Sequence, residues 1–366
     1  MRWLTSAAAA VGAVAVPVLL VLLGLWWCGY APGAVLALAA HGAVGGTVRT
    51  ALSLEEATPL LLTGLAAAVA FRAGVLNIGA EGQYLIGGLA LIALTTRGVA
   101  LIAWAGSAGA MILALAAAAA AGALWALPCS LLEQRRGVPA VLSSILLNFI
   151  ALAAVGALVE GPLHDPDTSA PQSALIPEAL HLPVLVAGSK LHLGAPLALA
   201  LALGAWLVLS RSAFGFELRA SGLNPLGARL MGMPVAARQA QAMAISGALA
   251  GLAGGMQLLG VTYFMTSSTA SYGYAGVAVA LLGRLHPLGV VLAALFFGML
   301  DTAGRNLEKH LAIPHDLGDL LKGLILIAVL VAMVLLERVR RRAAVAPTAL
   351  TVPASAGAAA AGGDHV

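Results

Sequence analysis

The chain has few charged residues: 19 Lys and Arg with 15 Asp and Glu among 366 residues, or 9%, where a soluble globular domain has ~25%. This scarcity excludes a soluble protein. Four stretches carry no charge and are each longer than the ~20 residues that span a bilayer as a helix, namely residues 3–48, 98–132, 137–159 and 239–283. The ~10-residue alternating segments of a membrane β-barrel are absent. The sequence therefore predicts an all-α, polytopic integral membrane protein.

Lysine and cysteine are also scarce, and their positions exclude several kinds of chemistry. The three lysines, Lys190, Lys309 and Lys322, follow Ser, Glu and Leu, so the Gly-Lys-Ser/Thr of a P-loop is missing and nucleotide hydrolysis by that route is excluded. The two cysteines, Cys28 and Cys129, belong to apolar runs without CxxC spacing, which indicates inert core thiols. Metal-ligand spacing and paired catalytic carboxylates are not present. We therefore predict a chain that is not an enzyme and holds no metal or cofactor.

Ten apolar segments, bounded by charges, Pro and Gly, are predicted as transmembrane or re-entrant helices. They lie near residues 7–28, 58–71, 79–95, 106–127, 139–160, 194–210, 240–262, 272–283, 286–302 and 318–336. The second, third and eighth segments are short or interrupted by Gly and polar residues, which is typical of re-entrant segments. Residues 1–342 form the predicted membrane domain, with an outer loop at 161–193 and a cytoplasmic loop at 211–238. The tail at 343–366, made of Ala, Gly, Pro and Thr, is expected to be disordered.

The distribution of basic residues predicts the orientation of the chain. With the N-terminus inside, thirteen arginines fall on the cytoplasmic side and five Lys or Arg on the outer side. Cytoplasmic loops are enriched in basic residues, so this bias favours N-in and C-in. It also explains the net charge of +4 without nucleic acid, and we predict no nucleic-acid partner.

The first informative motif is residues 71–88, FRAGVLNIGAEGQYLIGG. Its glycines loosen a helix, and Asn77, Glu81 and Gln83 place polar groups at membrane depth, where broken backbone is tolerated only inside protein or beside a cavity. An ionisable group in a span is a functional candidate, so Glu81 is a candidate for the substrate pathway. The alternative is a structural carboxylate tied to backbone amides of the broken helix or to Arg72.

The second motif is the cytoplasmic loop at 211–238. Asn224 suits an N-cap, Pro225 the first helical position, and Gly232 the left-handed position after the helix. These residues predict a short helix, Pro225 to Met231, outside the membrane. Its apolar side chains beside Arg229 favour docking of a partner, and the alternative is an amphipathic turn resting on the bilayer.

Further polar and small residues lie in apolar runs. Gly247, Gly251 and Gly255 recur at intervals of four, which predicts close packing of transmembrane helices. Asn148 and Gln257 are candidates for the substrate pathway, and interhelical hydrogen bonding is the alternative for each.

Several separated segments together resemble one transporter family. They are PLLLTGLAAAVAFRAGVLNIGAEGQ at 59–83, LLNFIA around Asn148, ASGLNPLGARLMGM in the cytoplasmic loop and ALLGRLHPLG at 280–289. They look like the permease subunit of bacterial ABC importers for nucleosides and simple sugars, which is related to ribose and branched-chain amino-acid permeases. NIGAEGQ resembles the nucleoside branch more than the sugar branch. The chain departs from the family pattern at Gly227, where Ala is usual, and at Phe149, where Tyr often follows the Asn.

The resemblance implies that the cytoplasmic loop is a coupling helix inserted into a separate ATPase, which binds the ATP. The residues implied in coupling are Gly222, Asn224, Pro225, Ala228, Arg229 and Gly232. It also implies a second permease, either a paralogue or a second copy, an extracytoplasmic substrate-binding protein, and a location in the bacterial cytoplasmic (inner) membrane. The rival interpretation is an ion-coupled secondary transporter of a small polar solute, in which Glu81 would carry the proton.

Overall fold

The computed structural model describes residues 18–97, 99–267 and 271–311, together with residues 320, 323, 324, 327, 328 and 331. Within these ranges the regular secondary structure is helical, and the extended pairings are isolated bridges rather than strands. The predicted all-α class is confirmed. The predicted tail at 343–366 and most of the tenth segment lie outside the described residues.

Twelve α-helices occur in the described ranges. They are α1 (Val18–Trp27), α2 (Pro32–Val44), α3 (Thr47–Arg72), α4 (Ala80–Arg97), α5 (Val99–Arg136), α6 (Ala140–Glu160), α7 (Gly194–Arg211), α8 (Ala213–Leu223), α9 (Pro225–Leu230), α10 (Val235–Gln257), α11 (Tyr272–Leu282) and α12 (Pro287–Leu311). A π turn, Leu258–Thr262, prolongs α10. Helix α5 is bent at Gly106, which has a φ of 69°.

Six helices of the described chain are long and apolar enough to cross a membrane: α3, α5 from Trp104, α6, α7, α10 with its π turn, and α12. Within the described residues, α1, α2 and α11 are apolar but shorter; α1 begins where the described range begins, and residues 7–17 of the first predicted segment lie outside it. The count of ten membrane helices is therefore not confirmed. The N-in, C-in orientation remains a prediction from the basic residues.

Several helices differ in their bounds from the sequence prediction, and α2 was not predicted; in α3 and α5 the reason is that charged residues and prolines do not end the helix. Helix α3 begins at Thr47, eleven residues before the predicted start at 58, and contains Glu55, Glu56 and Pro59. Helix α5 continues through Pro128 to Arg136. Both acidic side chains in α3 are buried, so a rule that ends a span at a charge fails where the charge is held by other helices.

Helices α3 and α10 form the centre of the domain, and small residues allow their neighbours to approach. A Cβ on Gly251 would lie 2.3 Å from the carbonyl oxygen of Ala118 in α5, and one on Gly247 would lie 2.3 Å from that of Gly122. Close backbone approach is the main source of packing between helices in lipid, where no hydrophobic effect drives association. The predicted packing role of these glycines is confirmed.

Candidate transport site and coupling helix

Two broken helices meet end to end inside the domain. Helix α4 begins at Ala80, after the irregular segment at 73–79, and α11 has only 11 residues, too few to span a bilayer. The backbone N–H of Gly273, in the first turn of α11, donates to Oε2 of Glu81 in the first turn of α4 at 2.7 Å. Because helix N-termini carry partial positive charge, the Glu81 carboxylate stabilises both helix ends.

Asn148 of α6 binds the same broken backbone from another side. Its Oδ1 accepts from the N–H of Gly82 at 2.8 Å, and its Nδ2 donates to the carbonyl of Ile78 at 3.0 Å and to the hydroxyl of Tyr274 at 3.2 Å. The N–H of Gly82 belongs to the first turn of α4, where no intrahelical acceptor exists. Asn148 therefore supplies the hydrogen bonds that water would otherwise make to the backbone groups of Gly82 and Ile78.

Asn77 and Gln83 complete the arrangement. Their side-chain amides bond to each other at 3.1 and 3.2 Å. Asn77 also donates to the hydroxyl of Ser246 in α10 at 2.9 Å and accepts from the N–H of Gly79 at 2.9 Å. Both side chains are almost completely buried.

The structure thus brings four of the five predicted pathway residues into one group, Asn77, Glu81, Gln83 and Asn148, here called the polar cluster. Each member binds the chain itself, as buried polar groups generally do. This geometry favours the structural alternative, in which these side chains hold broken helices together. Contact between the polar cluster and a transported solute remains a prediction.

The fifth predicted residue, Gln257, lies apart from the polar cluster in a cavity of about 240 Å³, here called the outer pocket. Its walls are Tyr84 and Leu85 of α4, Gln257 and Leu258 at the end of α10, and Phe264 and Met265 beyond the π turn. The Gln257 amide makes no hydrogen bond to the described residues. The hydrogen-bonding groups of Gln257 are therefore available inside the outer pocket.

The outer loop, residues 161–193, is folded against this end of α10. Leu182 donates its N–H to the carbonyl of Leu259 at 2.9 Å, and Ile176 donates to Tyr263 at 2.8 Å. The Lys190 ammonium donates to the carbonyl of Val261 at 2.8 Å. Two of these bonds use carbonyls of the π turn and the third uses that of Tyr263, which follows it, so the loop fixes the backbone on which the outer pocket is built.

His192 is buried where the outer loop meets the π turn. Its Nδ1 accepts the N–H of Gly194 at 3.0 Å, and a Cβ on Gly260 would lie 2.2 Å from the imidazole Cδ2. Burial lowers the pKa of His192 to about 4. The imidazole is therefore neutral at neutral pH, with its proton on Nε2, since Nδ1 acts as an acceptor.

The structure confirms the short helix that the cytoplasmic loop predicts. Asn224 caps α9 by accepting the N–H of Gly227 at 2.9 Å. At the other end, Gly232 has a φ of 78° and donates to the carbonyl of Arg229 at 2.9 Å, while Met233 donates to that of Ala228 at 3.0 Å. These two bonds form a Schellman motif.

Apolar side chains project outward around α9. Leu223, Leu226, Leu230 and Met231 have 87, 69, 81 and 79% of their surface exposed. Arg229 is also exposed, whereas Ala228 is buried against the domain. Four neighbouring side chains of this kind form an apolar patch, and such patches mark binding surfaces.

Gly222 lies on the inner side of this loop. A Cβ there would lie 2.2 Å from the carbonyl oxygen of Arg72 and 2.7 Å from the nitrogen of Gly74. The small residue therefore lets α8 contact the end of α3 within this chain. Arg238 of α10 further fixes α8 through an ion pair with Glu217 at 2.7 Å.

A buried ionic group was not predicted from the sequence. Glu56 of α3 accepts from the hydroxyl of Tyr272 at 2.8 Å and pairs with Arg305 of α12. It borders a second cavity of about 400 Å³ that also contains Arg49 and Lys309. The signal was the Glu-Glu pair at 55–56, which precedes a long apolar run and Pro59.

Comparisons of the chain with known proteins identify its family. Residues 49–330 match the family described as the permease component of branched-chain amino acid transport systems. The guanosine ABC transporter permease protein NupP of Bacillus subtilis is 34% identical over 86% of this chain and 92% of its own length. The glucose ABC transporter permease protein TsgB13 of Haloferax volcanii is 32% identical over 75 and 74%. The nucleoside ABC transporter permease protein NupB of Lactococcus lactis is 28% identical over 72 and 74%. The family match covers most of the membrane domain, and the chain therefore belongs to the permease family of the branched-chain amino acid transport systems, as a multi-pass membrane protein.

Proposed function

We propose that the chain forms the translocation pathway of an ATP-driven importer for nucleosides or related simple sugars in the bacterial cytoplasmic membrane. Relatives named as guanosine, nucleoside and glucose permeases support the solute class. The observation that carries the coupling role is α9, a capped helix with an exposed apolar patch. The chain lacks a P-loop, so the ATP would be bound by a separate ATPase subunit.

The contacts of the loop suggest how movement of α9 would reach the pathway. Helix α9 follows α8 directly, and α8 touches Arg72 and Gly74 through Gly222. Gly74 lies near the start of the irregular segment that leads to Asn77 and α4. Closure of the ATPase around α9 would therefore displace α8 and, through it, the base of the broken helices, which would alternate access to the pathway.

Three kinds of partner follow from this proposal. The ATPase would receive the patch on α9, with Asn224, Pro225, Ala228, Arg229 and Gly232 shaping the helix that presents it. A second permease, either a paralogue or a second copy of this chain, would complete the pathway. A substrate-binding protein would deliver the solute at the outer face.

Copurification tests the coupling surface. We would isolate the chain from its native membrane in mild detergent, beside the double variant Leu226→Gln with Leu230→Gln. The matched control is Leu226→Met with Leu230→Met, which keeps the surface apolar. We expect an ATPase to copurify with the wild type and the Met variant and to be lost from the Gln variant.

A substitution at Gly222 would not serve this purpose, because a side chain there meets the α3 backbone and would disturb folding. Equal recovery of the ATPase with the Gln variant would exclude α9 as the coupling surface. Absence of any ATPase from the wild type, with transport that survives ATP depletion, would overturn the importer itself.

A further inference from the structure

The outer pocket has the chemistry of a site for a neutral, partly aromatic solute. Its described lining contains no charged side chain. An ion that entered it would lose hydration without gaining a partner, at a large cost in free energy. The second cavity differs, because Arg49, Glu56, Arg305 and Lys309 line it. The outer pocket therefore selects against charged solutes such as free amino acids.

The walls of the outer pocket are mainly flat or flexible apolar groups. The rings of Tyr84 and Phe264 and the thioether of Met265 line it. Aromatic rings stack on the π-face of a nucleobase, and methionine sulfur makes favourable contacts with aromatic rings. A plain sugar can lay a C–H face on such a ring, but each of its many hydroxyl groups needs a hydrogen-bond partner, and a lining with few polar side chains offers few. The apolar walls thus favour a base over a sugar.

Three polar side chains, Gln257, Thr262 and Thr266, interrupt this apolar lining. Gln257 presents an amide that both donates and accepts hydrogen bonds, which is the pattern that a base edge requires. It makes no hydrogen bond to the described chain. Thr262, on the π turn, is exposed; its hydroxyl donates to the backbone carbonyl of Gln257 at 3.5 Å and its oxygen can accept from the sugar.

The backbone around the outer pocket is held in place without a ligand. Tyr263 has a left-handed φ of 63°, which turns Phe264 and Met265 back toward α4. Ser173 of the outer loop accepts the N–H of Met265 at 2.9 Å and donates its own N–H to the Met265 carbonyl at 2.9 Å. A pocket fixed in this way loses little entropy when a solute binds.

We propose that the outer pocket binds the base of a nucleoside during import, with Gln257 bonded to the base edge and Tyr84 and Phe264 against its faces. This proposal rests on the proposed function and narrows its solute class from nucleosides or sugars to nucleosides. It assigns recognition to a site outward of the polar cluster, one helical turn along α4 from Glu81.

Uptake of radiolabelled guanosine by the complete transporter, reconstituted in liposomes with its ATPase and binding protein, tests the proposal. The variants are Gln257→Leu and Phe264→Leu. The control is Phe296→Leu, which removes a ring from α12 away from the outer pocket. We expect each pocket variant to lower uptake at limiting guanosine about tenfold, the effect of one lost hydrogen bond or stacking contact, and the control to match the wild type.

Photolabelling of the wild-type complex with 8-azidoguanosine locates the base directly. We expect an adduct within residues 257–266 or at Tyr84, suppressed by excess guanosine and not by ribose. Adducts confined to the polar cluster, or pocket variants with unchanged uptake in a transporter that imports guanosine, would overturn the outer pocket as the base site. Failure of the wild type to import guanosine while it imports glucose or ribose would instead overturn the nucleoside assignment.

Discussion

The polar cluster and the outer pocket both place amide side chains inside the membrane domain, but the amides differ in what they bind. Asn148 makes three hydrogen bonds, all to groups of this chain, and Asn77 and Gln83 bond to each other. Gln257 makes none with the described residues. The amides of the polar cluster therefore form their hydrogen bonds within the fold, whereas the Gln257 amide in the outer pocket is available to bond a solute.

This difference separates two reasons for a polar residue in an apolar span. A break in a transmembrane helix leaves N–H and C=O groups without partners, and each must be satisfied internally. The polar cluster does this for the start of α4 at Gly82 and Gly79. An amide beside a cavity is not needed to satisfy the backbone, so it can form hydrogen bonds with a solute. The same residue type thus serves stability in one region and recognition in the other.

The largest expected effect comes from Asn148→Leu in the polar cluster. The substitution leaves the N–H of Gly82 and the carbonyl of Ile78 buried without partners, at about 1–3 kcal/mol for each group. We expect a large fall in the melting temperature of the detergent-purified protein, and a loss of transport that follows the loss of folded protein. Unchanged stability would mean that water or lipid supplies hydrogen bonds to these backbone groups. Asn148 would then not be needed for the fold, and the contrast between the polar cluster and the outer pocket would be wrong.

The second effect concerns His192, which is buried where the outer loop meets the π turn, and it depends on pH. The pKa of His192 is about 4 in the folded protein and about 6.5 when unfolded, so the unfolded chain takes up the proton first as the pH falls. Stability is therefore complete above pH 6.5 and falls by roughly 3 kcal/mol between pH 6.5 and 4.

Melting temperatures of the wild type and His192→Asn across this pH range measure the effect. The Asn side chain keeps an acceptor near the position of Nδ1 but does not titrate. We expect a flatter pH dependence in the variant, with the difference confined to the range below pH 6.5. Parallel curves would show that folding does not lower the pKa of His192.

Local signals in the sequence were enough to predict α9. Its cap, its first Pro and its terminal Gly are read within ten residues, and each acts on its own helix end. The structure returns the helix at Pro225–Leu230 with Asn224 as cap and Gly232 in the left-handed conformation. When the residues that determine a helix are adjacent in sequence, the sequence alone is enough to predict that helix.

Distant contacts explain what the sequence did not predict. The start of α3 was misplaced because Glu56 is stabilised by Tyr272 and Arg305, more than 200 residues away. The sequence indicates each member of the polar cluster on its own. It does not predict the hydrogen bonds that join them across α4, α6, α10 and α11. Of the outer pocket only Gln257 was predicted, since its walls come together through the π turn and the outer loop.

The third prediction tests the contact between the two broken helices. A Cβ on Gly273 would lie 2.2 Å from the nitrogen of Glu81, so Gly273→Ala forces α4 and α11 apart. Overpacking of this kind costs about 1–3 kcal/mol. The control is Gly156→Ala, where a Cβ meets nothing within 4 Å and the gain in helix propensity is favourable. A lower melting temperature for Gly273→Ala alone is expected, and equal values would show that the ends of these helices are loosely packed.

The smallest expected effect on stability is that of Gln257→Leu. This variant tests whether the outer pocket differs from the polar cluster in its structural role. The chemical change matches Asn148→Leu, an amide replaced by an alkyl group, but at Gln257 no buried partner loses a hydrogen bond. The new side chain meets Leu85 and Leu258 in the outer pocket, so the free energy of unfolding should stay within about 0.5 kcal/mol of the wild type. Melting temperatures of the two variants, measured side by side in the same detergent, give the result. If Gln257→Leu destabilises the protein as much as Asn148→Leu, Gln257 supports the π turn and the two regions share one structural role. If only Asn148→Leu does, any loss of uptake in Gln257→Leu must arise from the solute, because the fold is intact.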